Sequence, residues 1–187
     1  MKNKIRSEIL KTRRCLTQAD VAEKSKRIKQ RVFGLDVYKK AKTILFYVSY
    51  GNEVSTHEMI QESLAAGKRV VVPKANEKNH TLSLSLLSEW GELSPCSYNI
   101  LEPRSECIKE VAVKSIDLMI LPGVVFDEKG NRIGHGLGYY DRLLQIEKKA
   151  PVIALAFECQ VVKNIPAEKH DMRVEKIITE DRVIDCF

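Results

Sequence analysis

Four of the nine glycines, Gly130, Gly134, Gly136 and Gly138, fall within residues 130–138 of the segment LPGVVFDEKGNRIGHGLGYYDRLL, between a strand-like apolar run and a helical pattern. Glycines there let the backbone take positive φ and approach a ligand closely, and the next helix opens with unpaired N–H groups at the positive end of its dipole. That combination can cradle a phosphate. The spacing is Gly-x-Gly-x-Gly, neither the dinucleotide Gly-x-Gly-x-x-Gly nor a P-loop ending in Gly-Lys-Ser/Thr, so a glycine-rich turn with purely structural demands competes with the cradle. Arg132 and His135 in the same loop can bring positive charge to a phosphate. Asp141, at the start of the following helix, is either a carboxylate for phosphate-bound Mg²⁺ or an acid that satisfies the helix dipole.

A second group of charges lies at the N-terminus. With about 100° per residue and Lys2 at zero, Arg13 falls near 20° and Arg6 near 40°, while Ile5, Leu16 and Ile9 lie at roughly 300–340° and Leu10 at about 80°. The three cations interrupt the apolar arc instead of facing away from it. They would line a cleft edge facing an anion, or snorkel past the core. Glu53, in SYGNEVST, follows the apolar run TILFYV, where open α/β sheets bind ligands beyond the carboxyl ends of strands; helix-entry decoration is the alternative. Asp171, in a loop of EKHDMRVEKIITED, is ambiguous by itself. His57, His80 and His170 have no spacing that suggests a metal triad and read as lone surface histidines.

Elements that could position these residues can be read along the chain. Helical patterns cover residues 1–15 and 18–33, the second with Thr17 as N-cap and Gly34 as stop. Residues 43–48 form an apolar strand, and Ser55-Thr56-His57-Glu58 has the form of a capping box for a helix reaching Gly67. RVVVP (69–73) is a β-branched strand stopped by proline, and TLSLSLL (81–87) alternates like a half-buried, edge or antiparallel strand. IDLMILPG (116–123) and PVIALAF (151–157) are buried-type strands on either side of a helix over 139–149. Residues 88–114 read as connecting structure with one short helix. Apolar strands alternating with helices predict an α/β, three-layer, open and largely parallel (mixed) sheet with helices on both faces.

Composition sets the outer bounds. The 187 residues, 44% hydrophobic and 30% charged, suit one domain over 1–187 with its own core and exclude collagen-like and disordered classes. A formal charge of +6 favours an anionic partner. Cys15, Cys96, Cys107, Cys159 and Cys186 show no paired spacing and read as reduced thiols. Without an apolar run of signal or membrane-spanning length, a soluble cytoplasmic protein with no membrane partner is expected. Two rival functions remain at this point: an open-sheet enzyme acting on a sugar phosphate, and a basic nucleic-acid-binding module. The second is poorly served by six tyrosines, five phenylalanines and one tryptophan with no binding motif, so no nucleic-acid partner is expected.

Taken together, the glycine segment, the basic N-terminal helix, NEVST and ALAFECQVVKNIPAEKHDMRVEKIITED resemble the 5-formyltetrahydrofolate cyclo-ligase (5,10-methenyltetrahydrofolate synthetase) family over essentially the whole chain. The resemblance implies an ATP-dependent ligase that forms a carbon–nitrogen bond. It turns 5-formyltetrahydrofolate into 5,10-methenyltetrahydrofolate, ADP and phosphate through an iminium phosphate, with Mg²⁺ and ATP as co-substrate. It further implies ATP contacts from Lys2, Asn3, Lys4, Ile5 and Arg6 and from Arg132, Ile133, Gly134, His135, Gly136, Leu137, Gly138, Tyr139 and Tyr140, with Arg132 catalytic. Folate contacts would come from Val48, Glu53, His135, Gly136, Leu137, Gly138 and Tyr139, and Mg²⁺ ligation from Asp141 and Asp171. His135 stands where the family often has arginine or an aromatic residue, and Leu137 where lysine or glycine is usual, so fewer fixed cations reach the phosphates. The expected partners are small molecules, reduced folate and ATP, acting on a monomer or weak homo-oligomer.

Overall fold

A computed structural model of the chain describes residues 1–96, 100–146, 150–166, 168 and 171–186. In order, the first half contains α1 (Lys2–Arg14), α2 (Gln18–Gly34), α3 (Asp36–Lys40), β1 (Thr43–Phe46), α4 (His57–Ala65), β2 (Arg69–Asn76), β3 (Thr81–Leu87) and β4 (Leu93–Pro95). The second half contains β5 (Leu101–Pro103), β6 (Leu118–Leu121), β7 (Val125–Asp127), β8 (Arg132–Ile133), α5 (Tyr139–Ile146), β9 (Val152–Leu155), β10 (Val161–Val162), β11 (Lys176–Ile178) and β12 (Val183–Asp185).

Seven strands form one sheet in the order β12-β11-β9-β6-β1-β2-β3. The five central strands are parallel, and the edge strands β12 and β3 run antiparallel to their neighbours. The apolar runs do not alternate with polar residues because both faces are covered. Ile44, Phe46, Val70, Val72 and Ile120 pack with Ile28 and Val32 of α2 and Met59 and Ile60 of α4. Leu45, Val71, Met119 and Leu121 pack with Leu143 and Leu144 of α5. This is the three-layer mixed sheet expected. The chain leaves β1 toward β2 and returns to β6 on the other side of β1, so the topological switch lies between β1 and β6.

A smaller sheet, β10-β7-β8, sits beyond that switch. Its Val124, Val125 and Ile133, with Ile165, receive Ile5, Ile9 and Leu10 of α1. The apolar arc of α1 is therefore spent on the small sheet, which brings the helix's first turn to the carboxyl side of the large one.

Several local expectations are corrected. The box at Ser55–Glu58 does not form: Thr56 is the N-cap, but its hydroxyl donates to Tyr47 O at 2.7 Å and accepts from Ser49 N at 3.1 Å. Glu58 is drawn away to Lys29 at 2.7 Å. Gly34 ends α2 as its last helical residue, and extended Leu35 caps it. Strand β2 passes through Pro73 instead of stopping, because pairing with β1 ends at Val71 and the missing N–H leaves no gap on that side. Residues 88–114 are more than a connection: β4 and β5 pair as an antiparallel ribbon, and 3-10 turns stand where a short helix was expected. Pro95 and Pro103 in that ribbon suit edge strands and not helix. Of the helix expected over 139–149, residues 147–149 lie outside the described residues, as does His170.

Candidate active site

A cleft of about 1460 Å³ opens beyond the carboxyl ends of β1 and β6, where Tyr47, Val48, Pro122 and Gly123 line it. Its most constrained cation is Arg132. Strand β8 pairs with β7 through Val125↔Ile133 and Phe126↔Arg132, and the turn between them is built around Asp127. That carboxylate, fully buried, accepts from Lys129 N, Asn131 N and Asn131 Nδ2, and reaches across to Ile165 N at 2.9 Å. One buried acceptor thus fixes both the turn before Arg132 and the backbone at Ile165. The Arg132 stem passes Gly123, where a Cβ would lie 3.0 Å from Arg132 Cγ and overlap Phe126.

The Arg132 side chain is 3% exposed, and its Nη2 donates to Asp141 Oδ1 at 2.9 Å. Its guanidinium carbon lies 5.8 Å from the centre of the Tyr140 ring. Its Nε is buried with no acceptor among the described residues. A guanidinium held this way, with one N–H unspent, is a site for an oxyanion.

The glycine loop runs from β8 into α5. Gly136 (φ +109°) and Gly138 (φ +68°) occupy the region that favours glycine. A Cβ at Gly136 would come within 2.9 Å of Arg6 Nη1, so the absent side chain makes room for that guanidinium, which also reaches Gly134 O at 3.4 Å. Among the described residues, the amides of His135, Gly136, Leu137 and Gly138 donate to no protein acceptor. They are free for a ligand, together with the first N–H groups of α5. Lys2, one turn before Arg6 on α1, lies 2.6 Å from Asp171 Oδ2 and 3.1 Å from Glu168 Oε1. Burial works against its ammonium, but these two carboxylates outweigh it and raise the Lys2 pKa.

Glu53 lies toward the other end of the cleft, 6% exposed, in the turn after β1. Its Oε2 accepts from Tyr50 N at 3.2 Å, and His135 Nε2 stands 3.7 Å from Oε1. Burial, and then the negative charge of Glu53, push the phenols of Tyr47 and Tyr140 upward, so both are neutral donors at physiological pH. Tyr47 spends its hydroxyl on Val54 O at 2.8 Å, which fastens the turn carrying Glu53.

The structure gathers most of the residues singled out in the sequence. Lys2, Asn3, Arg6, Val48, Glu53, Arg132, Ile133, residues 134–140, Asp141 and Asp171 all line the one cleft. Lys4 and Ile5 do not: Lys4 is exposed and Ile5 packs on the small sheet. The cationic wedge of α1 also divides. Arg13 is buried away from the cleft, its Nε donating to Asn52 Oδ1 at 3.0 Å while Asn52 Nδ2 donates back to Arg13 O at 2.7 Å. Sequence reasoning missed two walls. One is the β2–β3 hairpin, with Pro73, Ala75, His80 and Leu82, and the other is the β4–β5 ribbon, with Leu101 and Glu102. The alternation in residues 81–87 signals a two-faced strand, but not that its tip folds over the cleft.

Asp141 and Asp171 supply hard oxygen donors at neighbouring points of the cleft wall, with Met172 N 3.4 Å from Asp141 Oδ1. Among the described residues, Arg132 Nη2 and Met172 N both bond Asp141 Oδ1, which leaves Oδ2 for a metal. No cluster of three or more His, Cys, Asp or Glu forms among the described residues. The set fits Mg²⁺, which takes one or two carboxylates and completes its shell with phosphate oxygens and water.

Residues 1–180 match the model of the 5-formyltetrahydrofolate cyclo-ligase family. The mouse 5-formyltetrahydrofolate cyclo-ligase is 33% identical over 96% of this chain and 94% of its own, and the Haemophilus influenzae enzyme 32% identical over 95% and 96%. The NMR structure of Aquifex aeolicus 5,10-methenyltetrahydrofolate synthetase superposes with a TM-score of 0.87 at 28% identity, over 99% of this chain and 92% of that one. No helix among the described residues is long and apolar enough to cross a membrane. With the switch-point cleft, the glycine loop and the family match over nearly its whole length, the chain belongs to the 5-formyltetrahydrofolate cyclo-ligase family and is an enzyme of that class.

Proposed function

We propose that residues 1–187 form one cyclo-ligase domain that turns 5-formyltetrahydrofolate and ATP into 5,10-methenyltetrahydrofolate, ADP and phosphate in the cytoplasm, as a monomer or weak homo-oligomer. The observation that carries this reading is one cleft lined both by Arg132, whose Nε has no acceptor among the described residues, and by the free amides of the glycine loop. A sugar phosphate would also use such an anion site, but would leave Glu53 and the apolar wall at the other end without a ligand group to meet.

The formyl oxygen is a poor leaving group, and the chemistry that improves it is phosphorylation. The formyl oxygen attacks the γ-phosphorus, the bond to ADP breaks, and an iminium phosphate is left on N5. The N10 lone pair then forms the new C–N bond to the formyl carbon, N10 gives up its proton to the departing phosphate or to water, and the C–O bond breaks as phosphate leaves. Such transfer needs in-line positioning and charge neutralisation more than a protein nucleophile. Arg132 and the amides at 135–138 face the γ-phosphoryl oxygens, and Arg6 steadies the loop from the α1 side. The Glu53 carboxylate accepts paired N–H donors of the pterin. Mg²⁺ held by Asp141 and Asp171 would neutralise phosphate charge. The ion pairs Arg132–Asp141 and Lys2–Asp171 keep those carboxylates compensated until phosphate and metal compete for them.

The test is direct. Folded protein mixed with 5-formyltetrahydrofolate, ATP and Mg²⁺ should generate the near-ultraviolet absorbance of the methenyl product, with one ADP per product. Absence of product from a protein that melts cooperatively overturns the reading.

A further inference from the structure

The loop that must present its amides to phosphate has little stiffness of its own. Gly136 and Gly138 sit at positive φ, and glycine loses more conformational freedom on ordering than any other residue. Something outside the loop has to fix it. The contact from Arg6 to Gly134 O is long, at 3.4 Å. The short one comes from Arg142, whose Nη1 donates to Leu137 O at 2.6 Å. Arg142 lies in the first turn of α5, and its side chain folds back over the turn before it, so that Nη1 stands where a Cβ on Gly138 would be 3.2 Å away.

The same Nη1, which carries two hydrogens, also donates to His80 O at 3.0 Å. His80 belongs to the tip of the β2–β3 hairpin and is the described non-glycine residue with positive φ, +53°. Its ring stands edge-on to Tyr139, 5.7 Å between centres and 88° between planes. The hairpin tip therefore holds α5 twice, by its carbonyl through Arg142 and by its ring on Tyr139. The left-handed backbone at His80 is what turns that carbonyl toward the guanidinium.

We propose that Arg142 is a positioning residue that latches the glycine loop to the β2–β3 hairpin, joining the phosphate-facing backbone to the wall that bears Ala75 and Leu82. It grips the loop through the Leu137 carbonyl, an acceptor, and so uses none of the amide donors that face the ligand. The kinetic consequence rests on the function proposed above; the structural consequence does not. Arg142 is exposed, so its replacement leaves the core intact.

The experiment reads backbone order and nucleotide affinity on the same samples. In ligand-free wild type, amide order parameters at Gly136, Leu137 and Gly138 should be near 0.85, the value of about a rigid backbone, and in Arg142→Ala they should drop below roughly 0.6. ATP affinity by calorimetry should fall about tenfold with melting unchanged, and Arg142→Lys, which keeps a cation able to bridge two carbonyls, should recover most of both. His80→Gly keeps the carbonyl and the positive φ but removes the ring, and should leave loop order unchanged. Unchanged order parameters in Arg142→Ala overturn the latch. Loss of order in His80→Gly assigns the restraint to the ring and overturns the carbonyl anchor. If wild-type protein turns over no folate while the order parameters behave as stated, the functional reading fails and the latch stands.

Discussion

The two ends of the cleft are built on opposite plans. At the Glu53 end, the bonds that fix the turn are local, Tyr50 N to the Glu53 carboxylate and Tyr47 to Val54, both inside residues 47–54, and the distant partners are His135 beside Glu53 and Arg13 on Asn52. At the phosphate end, neighbours in space come from α1, β8, α5 and residues 168 and 171, and their charges are paired across those segments as Lys2–Asp171 and Arg132–Asp141. A local turn is rigid whether or not substrate is present. An assembly of distant segments gains its final geometry when a ligand replaces ion pairs that existed without it. Substitutions at the first end should therefore change one ligand's affinity, whereas substitutions at the second should change turnover.

The sharpest test of that contrast is Arg132→Met. Guanidinium groups that meet the transferred phosphoryl are worth about 10³-fold or more in turnover, so kcat should collapse by at least about that factor while calorimetric folate affinity barely moves. An enzyme within tenfold of wild type would break the comparison. Asp141→Asn comes next, with turnover expected to fall about a hundredfold and the Mg²⁺ titration midpoint to rise, since an amide oxygen is a poorer Mg²⁺ ligand than a carboxylate. Because Asp141 also pairs with buried Arg132, the variant should lose about 1–2 kcal/mol of stability, visible as a few degrees in Tm. Normal turnover with that same loss would leave Asp141 a helix-entry acid.

Glu53→Gln should act on one ligand alone. Removing the charge while keeping the shape should weaken folate binding about tenfold, roughly the worth of one charged hydrogen bond, with ATP affinity within about twofold. Equal losses for both ligands would mean that the two ends are not independent. The smallest effect is on the alkaline limb. Burial, then Glu53, hold the Tyr140 phenol above its usual value. The folded state therefore keeps its proton where the unfolded chain loses it, and the stability from this group is complete below about pH 10 and declines as pH rises beyond that. A spectrophotometric titration should show Tyr140 still neutral where free tyrosine ionises, and Glu53→Gln should move its ionisation to lower pH.

Much of this was legible in the sequence because it depends on local chemistry. The apolar runs at residues 43–46, 118–121 and 152–155 announce strands covered on two faces, and of the loop glycines 134, 136 and 138, which are free to take positive φ, Gly136 and Gly138 do so and Gly134 does not. The Thr17 cap formed with Asp20 at the expected start of α2. What stayed hidden depends on partners far along the chain. Arg13 and Arg6 share a helix face by angle, yet Asn52 takes one and the glycine loop receives the other. The capping box at Ser55 does not form because the helix is capped one residue later, at Thr56, whose hydroxyl goes to Tyr47 O, while Lys29 takes Glu58. Residues 88–114 resemble a connection in sequence because they carry Pro95 and Pro103, which edge strands tolerate as well as loops do.

Gly130 offers a different kind of use. At φ +79° it closes the turn around Asp127 directly against Val174, where an added methyl would overlap Val174 O and touch Cys186 Cβ. That junction joins the small sheet to the approach to β11, and it lies outside the seven-stranded sheet itself. Gly130→Ala should therefore spare the sheet yet loosen the seat of Arg132, the more so on warming. For a geneticist, this is a candidate conditional allele: active protein at low temperature and reversible loss of activity, well below the melting point, at higher temperature. Activity that tracks global unfolding would show that the seat and the sheet yield together.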